Sequence, residues 1–185
     1  MLRRSLIAAL FSLFTITASA EPIRPVVAGF HPPAADSALD EQILDRIKTI
    51  GWYHVQVEAE GQKPAFAYSL GFYANFGQPE VVVFGLPMEI SQRFLDIAAI
   101  RIAGAKQPYE MYKPYEDIAE GTKVAFVPVA RRHFPAYFGY GGWFYQSVET
   151  DFPVIQMVWP DKAGKFPWEQ GYDKRYLALQ PLLDK

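Results

Sequence analysis

The fold class that this chain predicts is α+β: a single domain with helices packed on a mixed or mainly antiparallel sheet. Three observations carry that expectation. Trp52 to Ala59 and Ala65 to Gly71 both alternate apolar and polar positions across the turn Glu60-Gly61-Gln62-Lys63-Pro64, the pattern of an antiparallel hairpin. The unbroken apolar run EVVVFG, from Glu80, reads as a central strand buried on both faces. Segments with helical spacing fall among these strands in mixed order.

The first twenty residues, MLRRSLIAALFSLFTITASA, read as a secretory signal. Arg3 and Arg4 form a positive n-region, Leu6 to Ile16 an apolar core, and Ala18-Ser19-Ala20 a cleavage site before Glu21. The apolar run is shorter than the ~20 residues that span a bilayer, and Ser12 and Thr15 interrupt it. Arg3-Arg4-Ser5-Leu6-Ile7 also resembles a twin-arginine signal; the very short n-region and strongly apolar core favour the ordinary secretory route. The expected location of the chain is the periplasm or the medium. Cleavage of 1–20 leaves most of the 185 residues, enough for one ordinary domain. Glu21 to about Ala35, with four prolines, reads as an extended lead-in, and 36–185 as the domain.

Within it, Ser37-Ala-Leu-Asp40 resembles a capping box, Leu39, Ile43, Leu44, Ile47 and Ile50 share a helical stripe, and Gly51 ends the helix. On the first hairpin strand, Tyr53, Val55 and Val57 face inward and His54, Gln56 and Glu58 face water. The second sets Phe66, Tyr68 and Leu70 against Ala65, Ala67 and Ser69. A loop through Asn75-Phe76-Gly77 leads to the central strand. Met88 to Ala103 predicts a helix closed by Gly104, with Glu89, Gln92, Arg93 and Asp96 on its wet face. Lys106 to Gly121 is polar and turn-rich, and Lys123 to Val129 and Val154 to Trp159 read as strands. In RRHFPAYFGYGGWFYQ, Pro135 and the glycines argue against a long helix and for a bend.

Composition narrows the chemistry. No cysteine means no disulfide, no thiol catalysis and no cysteine-held metal. His31, His54 and His133 lack metal-ligand spacing, so neither a metal nor a cofactor is expected. Losing Arg3 and Arg4 takes the formal charge from −2 to −4, and beyond them no basic cluster is larger than a pair such as Arg131-Arg132, which argues against nucleic acid as a partner. After the signal no stretch is apolar enough to span a membrane. Aromatic residues make up 16% of the chain, enough to supply exposed rings as well as core.

FAYSLGFYANFGQPEVVVFGLP, Phe66 to Pro87, and VIQMVWPDKAGKFPWEQG with the later QPLL, Val154 to Leu183, resemble the bacterial domain-of-unknown-function family 4262. Its members look like FAYTxGL, FGHPE and VVFGLP in the first block and QxVWPD, G, FPWE and QPLL in the second. Membership implies a shared domain and no particular reaction. Ser69 stands where threonine is usual, which preserves a hydroxyl. Gln78 replaces the histidine of FGHPE, so a base or ligand role for that histidine would not transfer to this chain. The signal segment is also unlike the many plain cytosolic-looking members.

The catalytic candidates are Asp161 and Glu169, carboxylates flanking one turn that could serve as acid and base, with Ser69 or His54 assisting. Ser69 lies in a strand rather than a nucleophile elbow, and GYGGW lacks the lysine and hydroxyl of a phosphate loop. Turn chemistry alone accounts for both acids, because such side chains accept backbone N–H groups. The preferred reading is therefore non-catalytic binding of a small ligand or a protein partner. It uses the loops around Asn75–Glu80 and Trp159–Glu169, with Tyr68, Ser69, Asn75, Glu80, Trp159, Asp161, Trp168 and Glu169 as binding residues. A small hydrolase using the paired carboxylates is the alternative.

Overall fold

Ser37 starts the first helix as the spacing predicts. In this computed structural model, which describes residues 22–105, 108–148 and 152–185, Ser37 Oγ accepts the Asp40 N–H at 3.2 Å and caps helix α1, Ala38–Ile50. Asp40 turns to the Asp36 N–H, and Gly51 closes the helix by donating to Ile47 O at 2.8 Å. Ile43 and Ile47 are buried; Leu39, expected in the same stripe, is 45% exposed, one turn short of the sheet's cover. The expected signal peptide, residues 1–20, lies outside the described residues.

Strands β1, Tyr53–Val57, and β2, Phe66–Leu70, form the predicted antiparallel hairpin, with Tyr53 opposite Leu70 and Val57 opposite Phe66. A one-turn helix, α2 (Phe72–Phe76), stands where the sequence reads as loop, and β3, Glu80–Phe84, follows. Helix α3, Met88–Ala105, runs through Gly104, at which a side chain would meet open space and nothing forces a stop. Then come β4 (Ala125–Pro128), two short helices α4 (Phe134–Tyr137) and α5 (Gly139–Phe144), and β5 (Val154–Val158). The glycines of GYGGW lie in α5 and not in a bend, since Gly141, lacking a Cβ, leaves room for the Phe152 ring against the helix.

The strands lie in the order β1-β2-β3-β5-β4, with β3 and β5 parallel and every other pair antiparallel: an α+β fold with a mixed sheet. The parallel pair demands a long crossover, and that crossover carries α3, β4, α4 and α5. Both faces are covered. On one, Leu95, Ala98 and Ile102 of α3 meet Ala67, Val81 and Val83; on the other, Ile43 and Ile47 of α1 and Phe138 and Phe144 meet Tyr68 and Val82.

This double cover corrects the reading of the hairpin. Alternation on β1 and β2 predicts one wet face, yet every residue of β2 is buried and the His54 side chain is only 10% exposed. The small Ala67 and Ser69 let α3 sit close on that side, so their alternation encodes size rather than wetness. The lead-in is also tied to the domain. Ile23 N donates to Lys48 O at 3.0 Å, Val26 N to Ala74 O at 2.7 Å, and Phe30 is buried against Phe144 and Tyr145.

Candidate functional site

Glu80, at the head of β3, is fully buried. Its Oε2 accepts from Ser69 Oγ at 2.5 Å; its Oε1 accepts from Gly71 N at 2.9 Å, Tyr73 N at 3.1 Å and the Tyr145 hydroxyl. Ser69 Oγ in turn accepts the Val81 N–H at 2.9 Å. The carboxylate thus caps α2 from a neighbouring strand, where the unpaired N–H groups of a helix start favour negative charge. Gly71 makes this possible: φ is +111°, and a Cβ there would lie 2.7 Å from Gly51 O. Burial raises the Glu80 pKa to about 7, while Ser69, Tyr145 and the two N–H donors pull it down. The same burial, with Glu80 nearby, raises the Tyr145 pKa well above its ordinary value. Asn75, also buried, donates from Nδ2 to Gly51 O at 2.8 Å. Asn75 and Glu80, the two ends of that segment, are therefore turned inward while Gly77 between them is exposed, and Ser69 and Glu80 meet in the core with Tyr68 beside them.

Asp161 organises the WPD turn. Its Oδ1 accepts from Ala163 N and Lys165 N and its Oδ2 from Asp173 N, all at 2.9 Å. The donors of Lys165 and Asp173 lead in lowering its pKa, with desolvation opposing. Glu169 accepts the Phe166 N–H at 2.6 Å, so each acid closes its own piece of turn and the two share no donor. A depression of about 460 Å³ opens beside Asp161, where Asp173 pairs with Arg175 and Tyr176 is the one ring in the wall.

The remaining motif residues clasp the tail to the sheet. Buried Gln156 accepts Leu183 N at 3.0 Å and donates to Pro181 O at 2.9 Å. Buried Gln180 answers from the tail, donating to Trp159 O at 2.6 Å and accepting Trp159 N at 3.2 Å. Trp159 Nε1 donates to Phe84 O at 2.9 Å. Gly85, at φ +69°, lies so close to Leu179 that a Cβ would sit 2.4 Å from its carbonyl oxygen. VVFG, VWPD and QPLL thus meet in one place and hold one another there.

Two surfaces are left over. On α3's side of β1, His54 Nε2 is 3.3 Å from Asp96 Oδ1 without the alignment of a hydrogen bond, and the same oxygen accepts Trp52 Nε1 at 3.1 Å. Near the WPD turn, Trp168 is stacked on buried Phe166 with ring centroids 5.0 Å apart and planes 3° apart. Tyr112 meets Trp168 at 83° and 5.2 Å, and the two are 45% and 38% exposed respectively. Tyr112 has a left-handed backbone, φ +61°, fixed by its N–H to Phe126 O at 2.7 Å, and its hydroxyl donates to Asp184. Sequence reasoning names Trp168 and misses Tyr112; a tyrosine in a polar, turn-rich stretch gives no periodic signal. It also misses Tyr145, which only the fold brings to Glu80, 65 residues away. Among the described residues no three metal-ligating side chains cluster, and no helix is long and apolar enough to cross a membrane.

These features define a small α+β domain whose most distinctive sequence motifs are structural ties. The chain belongs to the family described as Domain of unknown function (DUF4262), which matches residues 46–173; the QPLL tail falls beyond that span. No curated protein and no solved structure matches it.

Proposed function

We propose that the chain is an exported, non-catalytic binding protein that takes a saccharide on the corner formed by Tyr112 and Trp168. The observation that carries this reading is the corner itself: two half-exposed rings at right angles, one backed by Phe166 and the other held by its backbone. Rings fixed in this way offer apolar area with polar handles and lose little freedom when a sugar's C–H face stacks on them. Trp52 and Trp159 spend their indole N–H on Asp96 and Phe84, whereas Trp168 has no such partner among the described residues. The nearby acids support binding over hydrolysis, because Asp161 and Glu169 are occupied by backbone donors. Export rests on the Arg3-Arg4 n-region, the apolar core and Ala18-Ser19-Ala20. The mature protein, purified from its native host with its N-terminus fixed by intact mass, is applied to an array of soluble glycans beside Trp168→Ala and Tyr112→Ala. Retention of a glycan class by wild type, lost at least tenfold in both variants, is the expected result, roughly the weight of one aromatic contact. A blank array, unchanged retention by Trp168→Ala, or a mass that still includes Met1–Ala20 would overturn the corresponding part.

A further inference from the structure

The cleft beside β1 is unlike the aromatic corner and independent of it. It holds about 450 Å³ along the free edge of the sheet, lined by Gln42 and Arg46 of α1, Gln92 of α3, and Trp52, His54 and the exposed Gln56 at β1. Two cationic or potentially cationic groups there have hydrogen-bonding capacity to spare. Arg46 has no carboxylate at ion-pair distance among the described residues. His54, nine-tenths buried, makes no hydrogen bond through Nε2, a condition that costs free energy unless something compensates. Nε2 is turned to Asp96, which leaves Nδ1 as the ring nitrogen toward the cleft.

We propose that this cleft binds a small carboxylate carrying further hydrogen-bonding groups, held by Arg46 and His54. A guanidinium presents paired N–H groups that match a carboxylate, and Gln42, Gln56 and Gln92 supply donors and acceptors for hydroxyl or amine substituents. The charge balance favours a protonated imidazole in the complex: Nε2–H then faces Asp96, Nδ1–H faces the ligand, and Arg46 with the imidazolium is matched by Asp96 and one ligand carboxylate. In the free protein burial is the main influence lowering the His54 pKa; Arg46 on α1 adds to it and Asp96 on α3 opposes it. Binding therefore takes up one proton, and affinity strengthens as pH falls, by up to about tenfold per pH unit while free His54 is neutral.

The chain has three histidines, His31, His54 and His133, so imidazole NMR resolves the site directly. L-lactate and L-serine, monocarboxylates bearing a hydroxyl and a hydroxyl with an amine, are titrated into the mature protein at several pH values, with Arg46→Gln alongside. The expected result is a saturable shift confined to the His54 signals with at least one of the two probes, tightening toward lower pH and absent in Arg46→Gln. Arg46 is exposed, so its replacement leaves the fold intact, which a thermal melt checks. The proposal is overturned if neither probe gives saturable shifts at His54, if all three histidines drift together as they would with ionic strength, or if Arg46→Gln binds like wild type.

Discussion

Glu80 and Asp161 are both carboxylates surrounded by donors, and their proton affinities move in opposite directions. Glu80 lies in the middle of the sheet, where burial outweighs four hydrogen bonds and raises its pKa to about 7. Asp161 sits in a turn beside an open depression, where three backbone N–H groups outweigh a weaker desolvation and lower its pKa. Donor number alone does not set the sign; the depth of the site does. Both acids tie backbone together, Glu80 joining β3 to the start of α2 and Asp161 joining the WPD turn to residue 173, but only Glu80 holds its tie at an electrostatic cost near neutral pH.

A carboxylate placed in the core without waiting donors should break the comparison outright. Val82 lies two residues along the same strand as Glu80, fully buried among Tyr68, Phe84 and Phe138. Val82→Asp puts an uncompensated charge there and should abolish folding, by on the order of 5 kcal/mol or more. Gln56→Asp, on the exposed side of the cleft, serves as the control and should cost little. Soluble yield and melting temperature decide it: equal values for the two variants would mean that donors are not what makes Glu80 tolerable.

The next effect sharpens the comparison through pH. Between about 4.5 and about 7 the folded protein keeps a proton on Glu80 that the unfolded chain releases. The stabilisation from that proton is complete below this window and is lost as pH rises through it, a decline of roughly 3 kcal/mol if Glu80 acts alone. Asp161 works the other way: its contribution is present above the usual carboxylate range and is lost as pH falls through its lowered pKa. Glu80→Gln, which mimics the protonated acid, should flatten the decline toward neutral pH and leave the acid limb in place. Urea melts from about pH 2 to 8 check this, and an unchanged slope in Glu80→Gln would assign the neutral-side titration to another group.

Much of the fold is legible before any coordinate because local signals agree. Ser37 and Gly51 bracket α1, alternation gives the β1–β2 hairpin, and the apolar run gives the central β3. What the sequence hides is non-local. The crossover that makes β3 and β5 parallel leaves no periodic trace, and α2 is too short to show one. The candidate site suffers more. Ser69 and Glu80 stand out as hydroxyl and acid in an apolar block, but their partner Tyr145 arrives from the far end of the crossover, and that closure turns a candidate surface into core. Asp96 reads as a water-facing helix residue until Trp52 and His54 are seen against it.

The smallest effect separates the two acids of the WPD turn. Asp161→Asn keeps an oxygen that can accept from Ala163 and Lys165, but its amide nitrogen cannot accept from Asp173, so the turn loses its hold on residue 173. Glu169→Gln keeps an acceptor for its single contact, the Phe166 N–H. Urea melts should therefore show a lower midpoint for Asp161→Asn and almost no change for Glu169→Gln. Asp161→Asn should also lose part of the acid-limb sensitivity, because the titrating group is gone. A drop of similar size in both variants would mean that the two acids act as one unit. A gain in stability in both would mark them as groups held at a cost to the fold, the signature of a working acid pair, and would move the search from saccharide binding to saccharide hydrolysis.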